Sequence, residues 1–453
     1  MATNAAAIWR VRPGGANTNG GGYDSTISGA GTDYSQQDAS QLSLTDGALT
    51  AGGTTFTSAT GGFTTAMIGN ALHINSGTNV VVGWYWITAR ASTNSITIDR
   101  DCSTGGNSSA VNFKVGGAMG GSTANPFEIA RSSNNGAVAG NTVYIKGSSA
   151  TINYAAPDYA HADNFLNPQT AGDATSGSIK FIVDPSQPTW RPVIKNSTQD
   201  LMIANSSAFA LFEGLVFVAT AASHTRIFDT GVNWIFKNCT FNLNDLTTSA
   251  FWCNSPLVLL NCEFFSKTSA APTARTEPVV SVSYNSITID GCYFHDCGGP
   301  CINAPRAAVI INSVFTNNVK PSILLDANGT YWNTVYIRGN TINGKTSGGD
   351  DGIKITTGES LTGIIILDNI ISNHATAGKY GINVNFGTVA VNDRCKGMID
   401  YNNFYNNTAN VNGYTIGAND LTLDPQFTSA TDLTLNGSNL IAKAYPRGPI
   451  CGG

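Results

Sequence analysis

At 453 residues the chain is long enough for two or three ordinary domains, although a solenoid can absorb that length as one unit. Charged residues are 12% of it, about half the usual ~25%, while 42% is hydrophobic, so the chain can bury a core and must cover its surface with Asn, Thr and Ser instead of ions. A net charge of -5 with no run of like charges argues against a nucleic-acid partner, and no stretch approaches the ~18 apolar residues that membrane insertion needs.

Residues 1–39 read as a glycine-rich arm. Ile8-Trp9-Arg10-Val11-Arg12-Pro13 runs into Gly14-Gly15 and then Gly20-Gly21-Gly22-Tyr23-Asp24, a composition that cannot form its own core. Such an arm is either a disordered terminus or a strap that orders on a neighbouring subunit. Trp9 flanked by Arg10 and Arg12 has the composition of an interface hot spot, which favours the strap and makes these three the candidate attachment residues. No charged segment leads into an apolar core and cleavage site, so no standard signal peptide is expected.

Residues 40–120 alternate with period two, as in Leu42-Ser43-Leu44, Thr55-Phe56-Thr57, Ala71-Leu72-His73-Ile74 and Ser95-Ile96-Thr97-Ile98, which predicts a small antiparallel β domain. Within it Trp84-Tyr85-Trp86 could stack on sugars. In a strand, however, Trp84 and Trp86 point one way and Tyr85 the other, so core packing is the preferred reading. Residues 121–140 read as a capping helix and linker. Asn125 is a good N-cap, Pro126 suits the first helical position and Glu128 completes a capping box, so a helix over 125–138 would cover the open end of the strands beyond residue 140.

Within residues 141–441, a short phrase returns between 212 and 404: Gly214-Leu215-Val216-Phe217, Asn238-Cys239-Thr240-Phe241, Asn261-Cys262-Glu263-Phe264, Gly291-Cys292-Tyr293-Phe294, Asn312-Ser313-Val314-Phe315, Gly339-Asn340-Thr341-Ile342, Asp368-Asn369-Ile370-Ile371 and Tyr401-Asn402-Asn403-Phe404. A loose period in the twenties built on strand-like phrases marks a β-solenoid. A second apolar phrase precedes each motif, as in Trp234-Ile235-Phe236 and Val335-Tyr336-Ile337. A third comes after it, led by Ile227, Phe251, Val280, Ile302, Ile323, Ile353 and Ile382. Three ladders of matching phase predict an all-β, three-faced parallel β-helix, and parallel crossovers make it right-handed. Residues 442–453 are a tail.

Cys239, Cys262, Cys292, Ser313, Asn340, Asn369 and Asn402 share one phase of the motif. Small side chains there fit inside the turn between two faces, and asparagines one coil apart can hydrogen-bond to each other, so these form a structural ladder. Nine cysteines, an odd number in a long chain, do not make a disulfide framework. Cys297 and Cys301 could meet across a loop, but without further Cys or His at ligand spacing they read as buried thiols; neither metal nor cofactor is expected.

Cleavage of a polysaccharide on such a scaffold needs paired carboxylates about 5 to 9.5 Å apart, or calcium with a basic residue. The candidates are Asp350 and Asp351, ahead of a third-face strand, and Asp296, next to His295 two coils earlier. They are not in clear phase, and the ordinary reading of Asp351-Gly352 is a turn. An enzyme is therefore not the favoured reading.

The region 141–441 resembles the right-handed parallel β-helix superfamily that includes pectate lyases, polygalacturonases and phage tailspikes; Asn141-Thr142-Val143-Tyr144-Ile145-Lys146-Gly147 and Leu423-Asp424-Pro425-Gln426-Phe427 are similar to its entry and exit phrases. Of the catalytic segments the polygalacturonase resemblance would imply, only the paired Asp350-Asp351 has a counterpart. Trp9 to Gly15, Gly20 to Asp24 and Phe63-Thr64-Thr65-Ala66-Met67-Ile68-Gly69 resemble the front end of β-helix proteins of tailed bacteriophages. That resemblance implies a virion structural protein assembled in the host cytoplasm and displayed on the particle as spike, tailspike or capsid decoration. It further implies a homotrimer that meets other virion proteins through its N-terminal arm, with host surface polysaccharide as a candidate ligand. The alternative is a tailspike depolymerase, a polysaccharide lyase or glycoside hydrolase acting on capsule or lipopolysaccharide.

Overall fold

The computed structural model describes residues 6–121, 127, 129, 136–155, 157–161, 177–196, 202–204, 209–219, 226–230, 233–244, 249–253, 255–266, 274, 276–282, 285–304, 307–327, 334–345, 347–357, 361–385, 395–429 and 432–435. The chain forms two compact units, residues 1–197 with 204–216, and residues 198–203 with 217–453.

In the first unit the alternating strands between residues 42 and 115 close into a six-stranded antiparallel barrel: Leu42–Leu49, Thr55–Ser58, Ser95–Ile98, Gly83–Ser92, Ala71–Thr78 and Ser108–Val115, in that spatial order. Period-two alternation sends Phe56, Leu72, Ile74, Tyr85, Ile87, Ile96 and Phe113 inward to a common core. Tyr85 lies in that core, and its hydroxyl donates to the Val81 carbonyl at 2.8 Å. Trp84 and Trp86 project from the opposite face of the strand and are also buried.

What buries them is the N-terminal arm. Trp9 is fully buried, with ring centroids 6.3 Å from Trp84 and 5.1 Å from Trp86, and its Nε1 donates to Asn141 Oδ1 at 3.1 Å. The strand Ile8–Arg12 pairs in parallel with Thr142–Ile145, and that strand with Ile179–Val183, so residues 8–12 extend a sheet of the solenoid within the unit. Arg10 forms ion pairs with Asp184 at 3.1 Å and Asp33 at 3.5 Å, and Arg12 with Asp184 at 3.5 Å and Asp38 at 3.7 Å. The expectation of a free arm with an exposed Trp9 anchor is thereby corrected. A glycine-rich strand cannot build a core, but it can add to an existing one, and Trp9 supplies the apolar area that repays its ordering. The predicted helix over 125–138 falls largely outside the described residues; Phe127 and Ile129 are buried, and Phe127 meets Phe181 edge-on at 5.0 Å.

The second unit is a parallel β-helix. Each coil contributes one strand to each of three parallel sheets. The first face runs through Trp234–Lys237, Leu257–Leu260, Ser286–Asp290, Ala307–Ile311, Val335–Arg338, Leu361–Leu367 and Cys395–Asp400. The second is made by the repeated motif, from Thr240–Asn242 to Asn403–Tyr405, and the third from Arg226–Thr230 to Ala409–Asn412. One third-face position differs from the sequence reading. Phe228, not Ile227, pairs with Phe251, because two adjacent apolar residues leave the register open by one.

The motif is the corner between first and second faces. Its leading residue, Asn238, Asn261, Gly291, Asn312, Gly339, Asp368 or Tyr401, has a left-handed φ of 51° to 66°. Asn, Asp and Gly tolerate that region best, which explains why they alternate there. The next side chain then turns inward. Asn340 Nδ2 donates to Asn369 Oδ1 and Asn369 Nδ2 to Asn402 Oδ1, both at 2.9 Å, while Ser313 N donates to Asn340 Oδ1 at 2.9 Å. Cys292 N donates to Ser313 Oγ at 3.1 Å, and the buried thiols of Cys239 and Cys262 donate to backbone carbonyls. All seven cysteines with a described side chain are buried as thiols. Beside this ladder the motif aromatics stack: Phe241 on Phe264 at 4.7 Å, Phe264 on Phe294 at 4.5 Å, and Phe294 on Phe315 at 5.0 Å, each within 7° of parallel.

Candidate functional site

Because side chains alternate across a strand, the positions flanking the inward Phe or Ile of each second-face strand point outward. These are Glu263 and Phe265 around Phe264, Tyr293 and His295 around Phe294, Val314 and Thr316 around Phe315, and Thr341 and Asn343 around Ile342. Register places Phe265, His295, Thr316 and Asn343 in one row. After four strands of this face a second left-handed residue turns the chain: Asp296, Asn317, Asn373 and Asn406 have φ of 51° to 62°. The outer rim of the face is thus a polar ladder. Asn317 Nδ2 donates to Asp296 Oδ1, Asn373 Nδ2 to Asn343 Oδ1 at 2.7 Å, and Asn406 Nδ2 to Asn373 Oδ1 at 2.7 Å.

At its centre His295 bridges two carboxylates from successive coils. Its Nδ1 lies 2.7 Å from Asp296 Oδ2 and its Nε2 3.3 Å from Glu263 Oε1. Its ring stacks on Tyr293 at 4.4 Å and on Phe265 at 5.1 Å. Burial opposes charge on the imidazole, but the bonds to Asp296 and Glu263 outweigh it and push the pKa up to about 9. Burial likewise opposes charge on Asp296, and the bonds from His295 and Asn317 overcome it, so that carboxyl sits below its ordinary value. At neutral pH the trio is therefore an imidazolium between two carboxylates.

Beside it opens a cleft of about 330 Å³. One wall carries Tyr293, Asp296, Asn317, Asn343, Lys345 and Asn373; Phe427 and Leu433 close the other. The closing segment is tied back onto the last coil, where Leu421 bridges Asn403, Leu423 N donates to Asn403 Oδ1 at 2.9 Å, and Tyr405 Oη donates to Asp424 Oδ2 at 3.0 Å. An aromatic ring, several amides and one carboxylate offer a flat apolar surface beside hydrogen-bonding groups of both kinds.

Asp350 and Asp351 do not join this cleft. Asp350 Oδ1 pairs with Lys379 Nζ at 2.6 Å, a bond that holds its carboxyl low against the opposing effect of burial. Asp351 is buried and accepts Tyr380 N and Asn383 Nδ2, both at 2.8 Å. Among the described residues no hydrogen bond or ion pair links either to Asp296, and no group of His, Cys, Asp and Glu is arranged to hold a metal ion. His374 is buried between them and the next coil, its Nδ1 2.9 Å from the Asp350 carbonyl, and burial keeps it neutral. Glu263, Tyr293 and Lys345 were not singled out from the sequence; counting outward from the motif aromatic would have found the first two.

Residues 273–389 match a family model described as the right handed beta helix region. The match spans the coils that carry His295, Asp296, Lys345 and Asn373. A search of the curated proteins finds no match to the chain. The parallel strand order and the matched stretch agree on the architecture, which fits a β-helix protein displayed at a surface.

Proposed function

We propose that this protein is a bacteriophage virion component that binds glycan of the host surface in the cleft between Tyr293 and Lys345. The observation that carries the reading is the composition of that wall: an aromatic ring with amide and carboxylate groups drawn from four successive coils, the chemistry that meets the apolar face and the hydroxyls of a sugar. The virion assignment rests on the resemblance of the first 120 residues to tailed-phage β-helix proteins.

A second reading, cleavage of the bound glycan, is favoured by one observation, the carboxylates of Glu263 and Asp296 on successive coils. The protonation of Asp296 and His295 argues against it. Glycoside hydrolysis asks one carboxyl to hold a proton near neutral pH, whereas Asp296 is held low and His295, at about 9, is too weak an acid to serve well. Binding without cleavage is the better-supported function.

The test incubates the purified protein with capsule and lipopolysaccharide fragments and reads both binding and polymer length. Saturable binding with unchanged length is expected. Shortened polymer would establish the depolymerase instead, and no binding to any host glycan would remove both readings. Mass spectrometry of purified particles tests the virion assignment separately.

A further inference from the structure

The first face of the second unit carries a surface unlike the second. On the second face the outward slots hold mostly amides, hydroxyls and charged groups; in the central outward row of the first, five of seven are aliphatic or thioether chains. Ile235, Val258 and Thr288 are followed in register by Val309, Tyr336, Ile365 and Met398. Ile235, Val309 and Met398 are 38%, 36% and 43% exposed, high for large apolar side chains aligned in one stripe.

The row beside the stripe says what covers it. In coil order it reads Lys237, Leu260, Asp290, Ile311, Arg338, Leu367 and Asp400, that is positive, apolar, negative, apolar, positive, apolar, negative. Reversed and laid against itself, this row sets Lys237 against Asp400, Leu260 against Leu367, Asp290 against Arg338, and Ile311 against itself. The central stripe reverses as well, pairing Ile235 with Met398, Val258 with Ile365, the hydroxyl-bearing Thr288 with Tyr336, and Val309 with Val309.

We infer that the first face is the contact between two copies of this chain, packed face to face with their coils running in opposite directions about a two-fold axis along the strands through the Val309 coil. A two-fold contact is isologous, so the patch must be complementary to itself, and this one is. Seven coils at ~4.8 Å and strands of about five residues at ~3.3 Å give a footprint of roughly 500 Å² on each copy. Both copies together bury about 1,000 Å², the lower bound for a specific interface. The charges lie at the rim, where Arg338 also holds Asp368 at 2.8 Å and Asp400 also accepts Asn419 Nδ2 at 2.8 Å, so they bias the direction while the apolar stripe supplies the burial. The inference is independent of the glycan reading, and it replaces the three-fold association implied by the family resemblance with a two-fold one.

The test measures the mass of the full chain by light scattering after size exclusion, over a range of concentrations. Twice the 47.3 kDa of one chain is expected. Val309→Arg, an exposed position, brings two like charges together at the axis and returns the protein to one chain while leaving its circular dichroism unchanged. Direction is read by oxidative cross-linking, with the wild-type chain as control. Val309→Cys alone forms a linked dimer, whereas Ile235→Cys and Met398→Cys link only when mixed. A single chain or a trimer at every concentration, a dimer indifferent to Val309→Arg, or Ile235→Cys linking to itself would each overturn the inference.

Discussion

The Asp296 carboxylate accepts a 2.7 Å hydrogen bond from Nδ1 of its chain neighbour His295, while Glu263 on the preceding coil takes the other ring nitrogen. Two coils are thereby fastened by one imidazolium, which donates from both ring nitrogens. The folded pKa of about 9 exceeds the unfolded 6.5, so this contribution to stability is fully present below pH 6.5 and is lost as pH rises through 9. It is worth at most on the order of 3 kcal/mol, reduced by the solvent that reaches both carboxylates. The unfolding midpoint of the wild type should exceed that of His295→Gln at pH 6 and converge with it by pH 10; a gap independent of pH would contradict the assignment. Asp296, held low, adds stability above about pH 4 that disappears on further acidification.

Asn369 occupies the middle of the corner ladder. Its amide donates to the Ile337 and Leu367 carbonyls and to Asn402, and accepts from Asn340. Asn369→Ala strands several buried partners at once, each costing about 1–3 kcal/mol. Chemical denaturation should show a loss of about 3 kcal/mol or more, well above that of Cys262→Ala, which removes only a thiol and its weak donors.

Phe264 is fully buried between Phe241 and Phe294. Phe264→Ala should cost about 3–5 kcal/mol, and Phe264→Leu less than half of that, since shape and stacking are lost but most apolar volume remains. Equal losses in the two variants would mean that stacking, not volume, is what the coil requires.

The N-terminal arm gives a fourth expectation. Trp9→Ala removes a fully buried ring and the cover over Trp84 and Trp86, so it should destabilise the first unit by about 3–5 kcal/mol and expose tryptophan fluorescence to quencher. An arm lying free would show neither change.

The architecture was legible because the motif advertises it. A left-handed residue, in most coils Asn, Asp or Gly, then a small inward residue and then a phenylalanine or isoleucine recur from coil to coil, and each has a single physical use. The arm was misread because its glycines hide a strand whose partner, Val143, lies 134 residues away in sequence. His295 and Asp296 were visible as neighbours, but their relation to Glu263 depends on the register that sets Phe265 beside His295. Asp350 and Asp351 attracted notice as adjacent acids, yet adjacency in sequence sends one to Lys379 and the other into the corner of the next coil.

The central claim is that the Tyr293–Lys345 cleft holds glycan, and calorimetric titration of a host capsule or lipopolysaccharide fragment into the wild type and Tyr293→Ala tests it most directly. Loss of one stacking platform should weaken binding by about tenfold or more, equivalent to ~1.4 kcal/mol, with the circular dichroism of the fold retained. Equal affinity in the two proteins would contradict it.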